Sequence, residues 1–62
     1  KYIIKIESGM YEQTYKIEEY EISSVEEIEK CLDPDFLNSV TNRFESMYSD
    51  FQDTLLRNEV IF

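Results

Sequence analysis

Residues 1–17 have the sequence KYIIKIESGMYEQTYKI, and this stretch decides the fold class. Its apolar residues recur at every second position, which is the period of a β-strand with one buried face. The members of that face are Tyr2, Ile4 and Ile6 on a first strand, and Tyr11, Tyr15 and Ile17 on a second. Ser8-Gly9 lies between them and suits a two-residue turn, because glycine accepts a positive φ. The pattern therefore predicts an N-terminal antiparallel β-hairpin.

The predicted turn also sets the register of the two strands. With Ser8-Gly9 as the central residues, the cross-strand pairs are Ile6–Tyr11, Tyr2–Tyr15 and Lys5–Glu12. The first two pairs are apolar on one face and the third joins opposite charges, so the register is self-consistent. The alternation ends at Glu18-Glu19, where we predict a bulge or the end of the strand.

A short capped helix is predicted after the hairpin. In Ser24-Val25-Glu26-Glu27 the spacing is that of a capping box, in which Ser24 accepts from the first turn and Glu27 accepts from the Ser24 backbone N–H. Ser23 with Glu26 fits the same pattern one residue earlier. The positions predicted to be buried are Val25, Ile28 and Leu32. The helix should end at Asp33, because the residue before proline avoids the α region.

A long amphipathic helix should follow, with Asp33 as its N-cap and Pro34 at its first position. It is expected to reach Arg57, a length of about 35 Å. We expect its apolar seam to pack on the hairpin and in part on a second copy; the seam consists of Leu37, Val40, Phe44, Met47, Phe51 and Leu55. Asn58 should form a left-handed cap, and residues 59–62 a short third strand or an apolar tail. The prediction is one α+β domain over residues 1–62.

Length and composition exclude several function classes. A chain of 62 residues, of which 42% are hydrophobic, is expected to fold but is too small for a deep catalytic pocket. With one cysteine and no histidine, the usual zinc sites and histidine-dependent triads are excluded. No apolar run is long enough for a membrane span or a signal peptide. We therefore expect a cytoplasmic protein that is no enzyme and uses no cofactor.

The negative charge is concentrated in residues 18–35, here called the acidic segment. It holds eight carboxylates and one lysine, net −7, while the whole chain carries −8. One interpretation is a solvated face that provides solubility. The other is a surface that imitates the phosphate backbone and binds a basic groove. The residues expected to bind such a partner are Glu18, Glu19, Glu21, Glu26, Glu29, Asp33 and Asp35.

The sequence argues against nucleic-acid binding, a calcium site and a reactive cysteine. Direct binding to nucleic acid is excluded, because a chain of charge −8 without a basic patch repels phosphate. The oxygen ligands of Asp33-Pro34-Asp35 lack the glycine and terminal glutamate of a calcium loop, so a helix cap is favoured and no metal is expected. Cys31 lies among carboxylates and not beside the cationic groups that activate a thiol, so it is predicted to be a buried structural cysteine.

Small size, acidity, the lack of histidine and the acidic segment together resemble one class of proteins. These are the small acidic proteins with which bacteriophages disable host enzymes, including anti-CRISPR and anti-restriction proteins and inhibitors of uracil-DNA glycosylase. The resemblance implies a viral, DNA-mimicking inhibitor of a basic nucleic-acid-binding protein, a CRISPR-Cas component first, acting in the host cytoplasm. Two alternatives remain open: a phage-type uracil-DNA glycosylase inhibitor, and a structural homodimerisation module whose acidity only provides solubility.

Overall fold

The computed structural model describes residues 1–60, which form a hairpin followed by helices. The elements are β1 Tyr2–Ser8, β2 Tyr11–Ile17, a 3-10 turn Glu19–Glu21, α1 Val25–Cys31 and α2 Pro34–Arg57. The α+β class and the N-terminal antiparallel hairpin are confirmed, as are the bounds of the long helix. Glu59 and Val60 are not in a strand, and the rest of the predicted third strand, Ile61 and Phe62, lies outside the described residues.

The predicted register of the hairpin is wrong by two residues. The observed pairs are Tyr2–Ile17, Ile4–Tyr15 and Ile6–Gln13 on the inner face, and Lys5–Thr14 and Glu7–Glu12 on the outer face. The central residues of the turn are therefore Gly9 and Met10. Gly9 has a φ of 60°, and glycine at the first central position is the preference of a type II′ turn. A shift by two residues leaves every side chain on its face, so the apolar alternation could not separate the two registers.

The strand β2 packs along α2, with aromatic side chains in contact near both ends of β2. The ring of Tyr11 lies edge-on to Tyr48 and Phe51, with centroid distances of 6.2 and 6.4 Å. At the other end of β2, Tyr15 meets Phe36 at 5.3 Å. Between these clusters lies Val40, which is 3% exposed and is the one buried apolar side chain in the described part of the chain. Within residues 1–60 the core therefore lies mainly along the contact between β2 and α2.

A polar network at the centre of this contact joins the hairpin to the helix. The buried side chain of Gln13 donates from Nε2 to the carbonyl oxygen of Val40 at 2.9 Å. Its Oε1 accepts from Tyr15 Oη at 2.7 Å and from Arg43 Nε at 3.0 Å. Arg43 Nη2 also donates to Tyr15 Oη at 3.0 Å. Gln13 and Arg43 were not predicted from the sequence. A glutamine between two tyrosines on the inner face of a strand does indicate that its amide needs hydrogen-bond partners.

Removing the side-chain amide of Gln13 is expected to destabilise the protein. Gln13→Ala deletes three hydrogen bonds at the junction of strand and helix, which should lower the free energy of unfolding by about 1–3 kcal/mol. Urea titration followed by circular dichroism measures the change. The control is Thr14→Ala, one residue further along β2 on the exposed face, which should stay within about 0.5 kcal/mol of the wild type. Equal midpoints for the two variants would show that the network contributes nothing.

The molecule is elongated and exposes more surface than its mass requires. Its extents are 49 × 23 × 15 Å, and its radius of gyration is 15.4 Å against about 10.6 Å for a compact domain of this length. Its accessible surface is 5196 Å², whereas a folded monomer of 7.5 kDa exposes about 4,250 Å². The difference of about 950 Å² arises because α2, 24 residues and about 36 Å long, is much longer than the strand it packs on.

Several predictions for α1 are wrong, because this helix packs loosely on the rest of the chain. Val25 and Leu32 are 49% and 39% exposed, Cys31 is also exposed, and only Ile28 is half-buried. The spacing of the apolar residues in α1 is typical of a helix that packs on a sheet. That surface is not available to α1, because α2 already covers the inner face of β2. The capping box forms in part: Ser24 is the N-cap without a side-chain bond. Glu27 Oε2 accepts from the Ser23 backbone N–H at 3.1 Å, one residue earlier than predicted.

Both ends of α2 are closed by local hydrogen bonds. At the start, Asp33 Oδ1 accepts from the Phe36 N–H at 2.8 Å, which confirms the predicted N-cap. The end is a Schellman motif, in which the N–H of Glu59 donates to Leu56 and that of Val60 to Leu55. The left-handed residue is Glu59, with a φ of 59°, and not Asn58 as predicted. A non-glycine residue in this conformation is strained.

Glu59→Gly is expected to stabilise the protein by about 0.5–1 kcal/mol, since glycine adopts a positive φ without a steric penalty. Thermal unfolding at fixed protein concentration measures the gain. Glu59→Ala is the matched control: it removes the same carboxylate but keeps Cβ, and should give no increase. If both variants gain equally, the effect comes from the lost charge and the account of the helix end is wrong.

Candidate functional site

The acidic segment occupies one continuous stretch at the open end of the hairpin. It begins directly after β2, forms the 3-10 turn and α1, and ends in the first turn of α2. All seven carboxylates predicted to bind a partner are exposed: Glu18, Glu19, Glu21, Glu26, Glu29, Asp33 and Asp35. The structure therefore places them all on the surface, as a site for a macromolecular partner requires.

Three of these carboxylates already have a partner within the chain. Glu18 forms an ion pair with Lys1 Nζ at 3.9 Å, and Glu19 one with the Lys1 α-amino group at 3.0 Å. Asp33 caps α2 through the hydrogen bond described above. Exposed ion pairs of this kind contribute little to stability, but they neutralise part of the charge at the edge of the segment.

The other four carboxylates are Glu21, Glu26, Glu29 and Asp35, here called the free carboxylates. Within residues 1–60 their side chains make no ion pair and no hydrogen bond. Glu26 and Glu29 lie three residues apart on α1, a spacing that sets Cβ atoms about 5–6 Å from each other. The four are thus exposed negative charges that remain available to a partner, and two of them are close neighbours on α1.

Exposed apolar side chains are interspersed with these charges. Tyr20, in the 3-10 turn, is 86% exposed, and Val25 at the start of α1 and Leu32 directly after it are exposed as well. Tyrosine is among the residues that contribute most to protein–protein interfaces. The sequence-based site contained only carboxylates, so Tyr20 is an addition from the structure. A surface of carboxylates with an exposed tyrosine is suited to binding a protein.

The predicted apolar seam of α2 is only partly covered. Val40 is buried, and Phe44, Met47 and Leu55 are half-buried, while Leu37 and Phe51 are exposed. Beside the seam lies an apolar groove of about 780 Å³, between the end of β1, the hairpin turn and one side of α2. The expectation that the seam packs on the hairpin therefore holds for the buried Val40 and, in part, for Phe51, which meets Tyr11 but stays half exposed. Leu37 is left uncovered. Leu56, which falls off the seam, is exposed too.

The described residues offer electrostatic and apolar recognition surfaces. Among them, no three cysteine or acidic side chains come together in an arrangement that could hold a metal ion. In the same range, no helix combines the length and the apolarity needed to cross a bilayer. No protein-family model, curated protein or solved structure matches the chain.

Proposed function

We propose that the protein is a non-enzymatic inhibitor that binds a basic, nucleic-acid-binding protein through its acidic segment and occupies the surface meant for phosphate. The observation that carries this proposal is the exposure of all seven predicted carboxylates within a segment of net charge −7. Four of them have no partner among the described residues, so their charge is available to another molecule.

Electrostatics explains why such a segment would find a basic groove. Rows of Lys and Arg that bind nucleic acid gain free energy by neutralising closely spaced negative charge, whichever molecule supplies it. Complementary surfaces of this kind also associate quickly, because the field steers the approach. The backbone that carries these carboxylates is held by a 3-10 turn and two helices, so it is mainly their side chains that must be ordered on binding. A competitor for nucleic acid is therefore the use that suits this surface best.

The class of partner we propose first is an RNA-guided nuclease, a CRISPR-Cas component. Such an enzyme holds a heteroduplex in a long, positively charged channel and stabilises a displaced single strand, so it has an extended basic surface to block. A uracil-DNA glycosylase is the alternative, since an enzyme that extrudes a base must also hold the flanking strand. Both targets would be bound by the same carboxylates, and the identity of the captured protein separates them.

Affinity capture tests the proposal. The immobilised chain is exposed to a bacterial lysate treated with nuclease, and the bound protein is eluted with rising salt or with an excess of duplex DNA. We expect one dominant basic protein that is released by salt and by DNA, since both compete for the same contacts. If the chain captures only itself, the acidity serves solubility and the inhibitor proposal fails.

A further inference from the structure

The strand β1 has an edge that no other strand covers. In the part of the chain that the structure describes, the sheet has two strands and β1 pairs with β2 alone. β1 extends over seven residues, Tyr2–Ser8, without a proline. Its open edge therefore presents a row of backbone N–H and C=O groups to any strand that approaches. An isolated two-stranded sheet is marginal in water and is stabilised by further strands or by packing on a helix, and in this hairpin it is β2 that packs on α2.

The apolar groove lies on the same side of the molecule as this edge. It is lined by Ile6 of β1, by the hairpin turn and by the side of α2 that carries Leu37, Phe44 and Tyr48. Because β2 is the strand that packs on α2, the end of β1 projects over the groove. A partner that extended the sheet at β1 would also need an apolar element beneath its strand to fill the groove.

The excess surface has the size of one protein–protein interface. The chain exposes about 950 Å² more than a compact monomer of its mass. A standard stable interface buries about 800 Å² on each partner. One interface at the β1 edge and the groove would therefore reduce the accessible surface of each chain to about that of a compact monomer of the same mass.

We infer that the protein forms a symmetric homodimer through the β1 edge and the groove beneath it. A second copy presents both elements that this surface lacks, an unpaired β1 and an α2 with an uncovered apolar side. A two-fold axis perpendicular to the sheet pairs the two β1 strands antiparallel and sets the two α2 helices side by side. The product is a four-stranded sheet on two helices, and the same patch of each copy forms the contact.

The charges of β1 favour one register for this pairing. With Ile4 opposite the partner's Ile4, the inner face joins apolar residues only. On the outer face Lys1, which directly precedes β1 and is already paired with Glu18 of its own chain, lies opposite the partner's Glu7. Opposite charges in facing positions stabilise a sheet. Shifting the register so that Lys5 faces the partner's Lys5 places like charges together, which is unfavourable. The contact uses none of the free carboxylates, so it is independent of the proposed function.

Analytical ultracentrifugation and one pair of variants test the dimer. Interfaces of this size have micromolar or tighter dissociation constants, so the wild type should sediment as two chains at about 100 μM. Leu37→Glu places a charge in the groove at a position that is exposed in the monomer, and should weaken the dimer by at least about tenfold. Asn38→Glu, an exposed neighbour outside the groove lining, is the control and should leave it unchanged.

A disulfide measurement tests the register directly. In a Cys31→Ser background, Ile4→Cys should give a covalent dimer under mild oxidation, because the two side chains meet at the axis. Ile3→Cys should not, since Ile3 faces the partner's Lys5. A wild-type chain that is monomeric at about 100 μM overturns the dimer, as does a dimer that Leu37→Glu leaves intact. Failure of capture with the dimer intact would instead overturn only the proposed function.

Discussion

Replacing the four free carboxylates by amides is expected to weaken binding to the captured basic protein by about 30- to 1,000-fold. The changes are Glu21→Gln, Glu26→Gln, Glu29→Gln and Asp35→Asn. Each removes an exposed charge whose contact with a cationic groove contributes about 0.5–1 kcal/mol, and four such contacts give this range. Isothermal titration at two salt concentrations measures the loss. The variant should also show a weaker dependence of affinity on salt, since fewer charged contacts remain.

The matched control removes the same number of charges outside the acidic segment. It combines Glu12→Gln, Asp50→Asn, Asp53→Asn and Glu59→Gln, all at exposed positions. Both variants have a net charge of −4, from −8 with four carboxylates removed. The control should bind within about threefold of the wild type, because charges more than a Debye length from the contact are screened. Equal weakening by both variants, with unchanged circular dichroism, would show that only net charge matters.

Val40→Asp is expected to abolish cooperative folding. Val40 is buried at the centre of the contact between β2 and α2, and an unpaired carboxylate there costs about 3–5 kcal/mol. A domain of 62 residues has a total stability of about 3–9 kcal/mol, and one with so little buried surface is expected near the lower end, where the loss removes most or all of it. Thermal unfolding by circular dichroism measures the outcome. Phe44→Ala should cost less than the removal of a fully buried ring, since Phe44 is only half-buried.

Ser39→Asp is the control for Val40→Asp. It adds the same side chain at the preceding, exposed position of the same helix. Its unfolding temperature should lie within a few degrees of the wild type, because exposed substitutions usually change stability by about 0.5 kcal/mol or less. A cooperative transition for Val40→Asp near that of the control would mean that the contact between β2 and α2 does not hold the fold together.

The features that could be predicted from the sequence depend on local chemistry. The faces of the two strands follow from the period of their apolar residues, and α2 begins at Pro34 because Asp33 caps it and proline fits its first position. Its end at Arg57 is likewise set by a turn that is closed by its own backbone hydrogen bonds. Predicting these elements required no information about which other parts of the chain lie nearby.

The features that could not be predicted depend on tertiary contacts. The loose packing of α1 follows from the occupation of the inner face of β2 by α2, which the spacing of Val25, Ile28 and Leu32 does not reveal. The network of Gln13 and Arg43 joins residues 30 positions apart. The register error has a different cause, since two turns that differ by two residues satisfy the same apolar pattern.

The candidate site shows the same division. The positions of the carboxylates and their excess over lysine can be counted in the sequence, and their exposure agrees with the expectation for charged side chains. Which of them are free could not be deduced, because Lys1 reaches Glu18 and Glu19 only after the hairpin returns the chain to its start. Tyr20 was missed because the site was predicted from charge alone, and the local sequence does not show that this ring is exposed.

The central claim is that the acidic segment is the surface that meets the partner. Titration of the captured basic protein into ¹⁵N-labelled chain, followed by heteronuclear NMR, tests it most directly. We predict that the largest chemical-shift changes fall on residues 18–35, including Tyr20. The signals of the groove residues Leu37, Phe44 and Tyr48 should not shift. Shift changes centred on the groove, with residues 18–35 unperturbed, would contradict it.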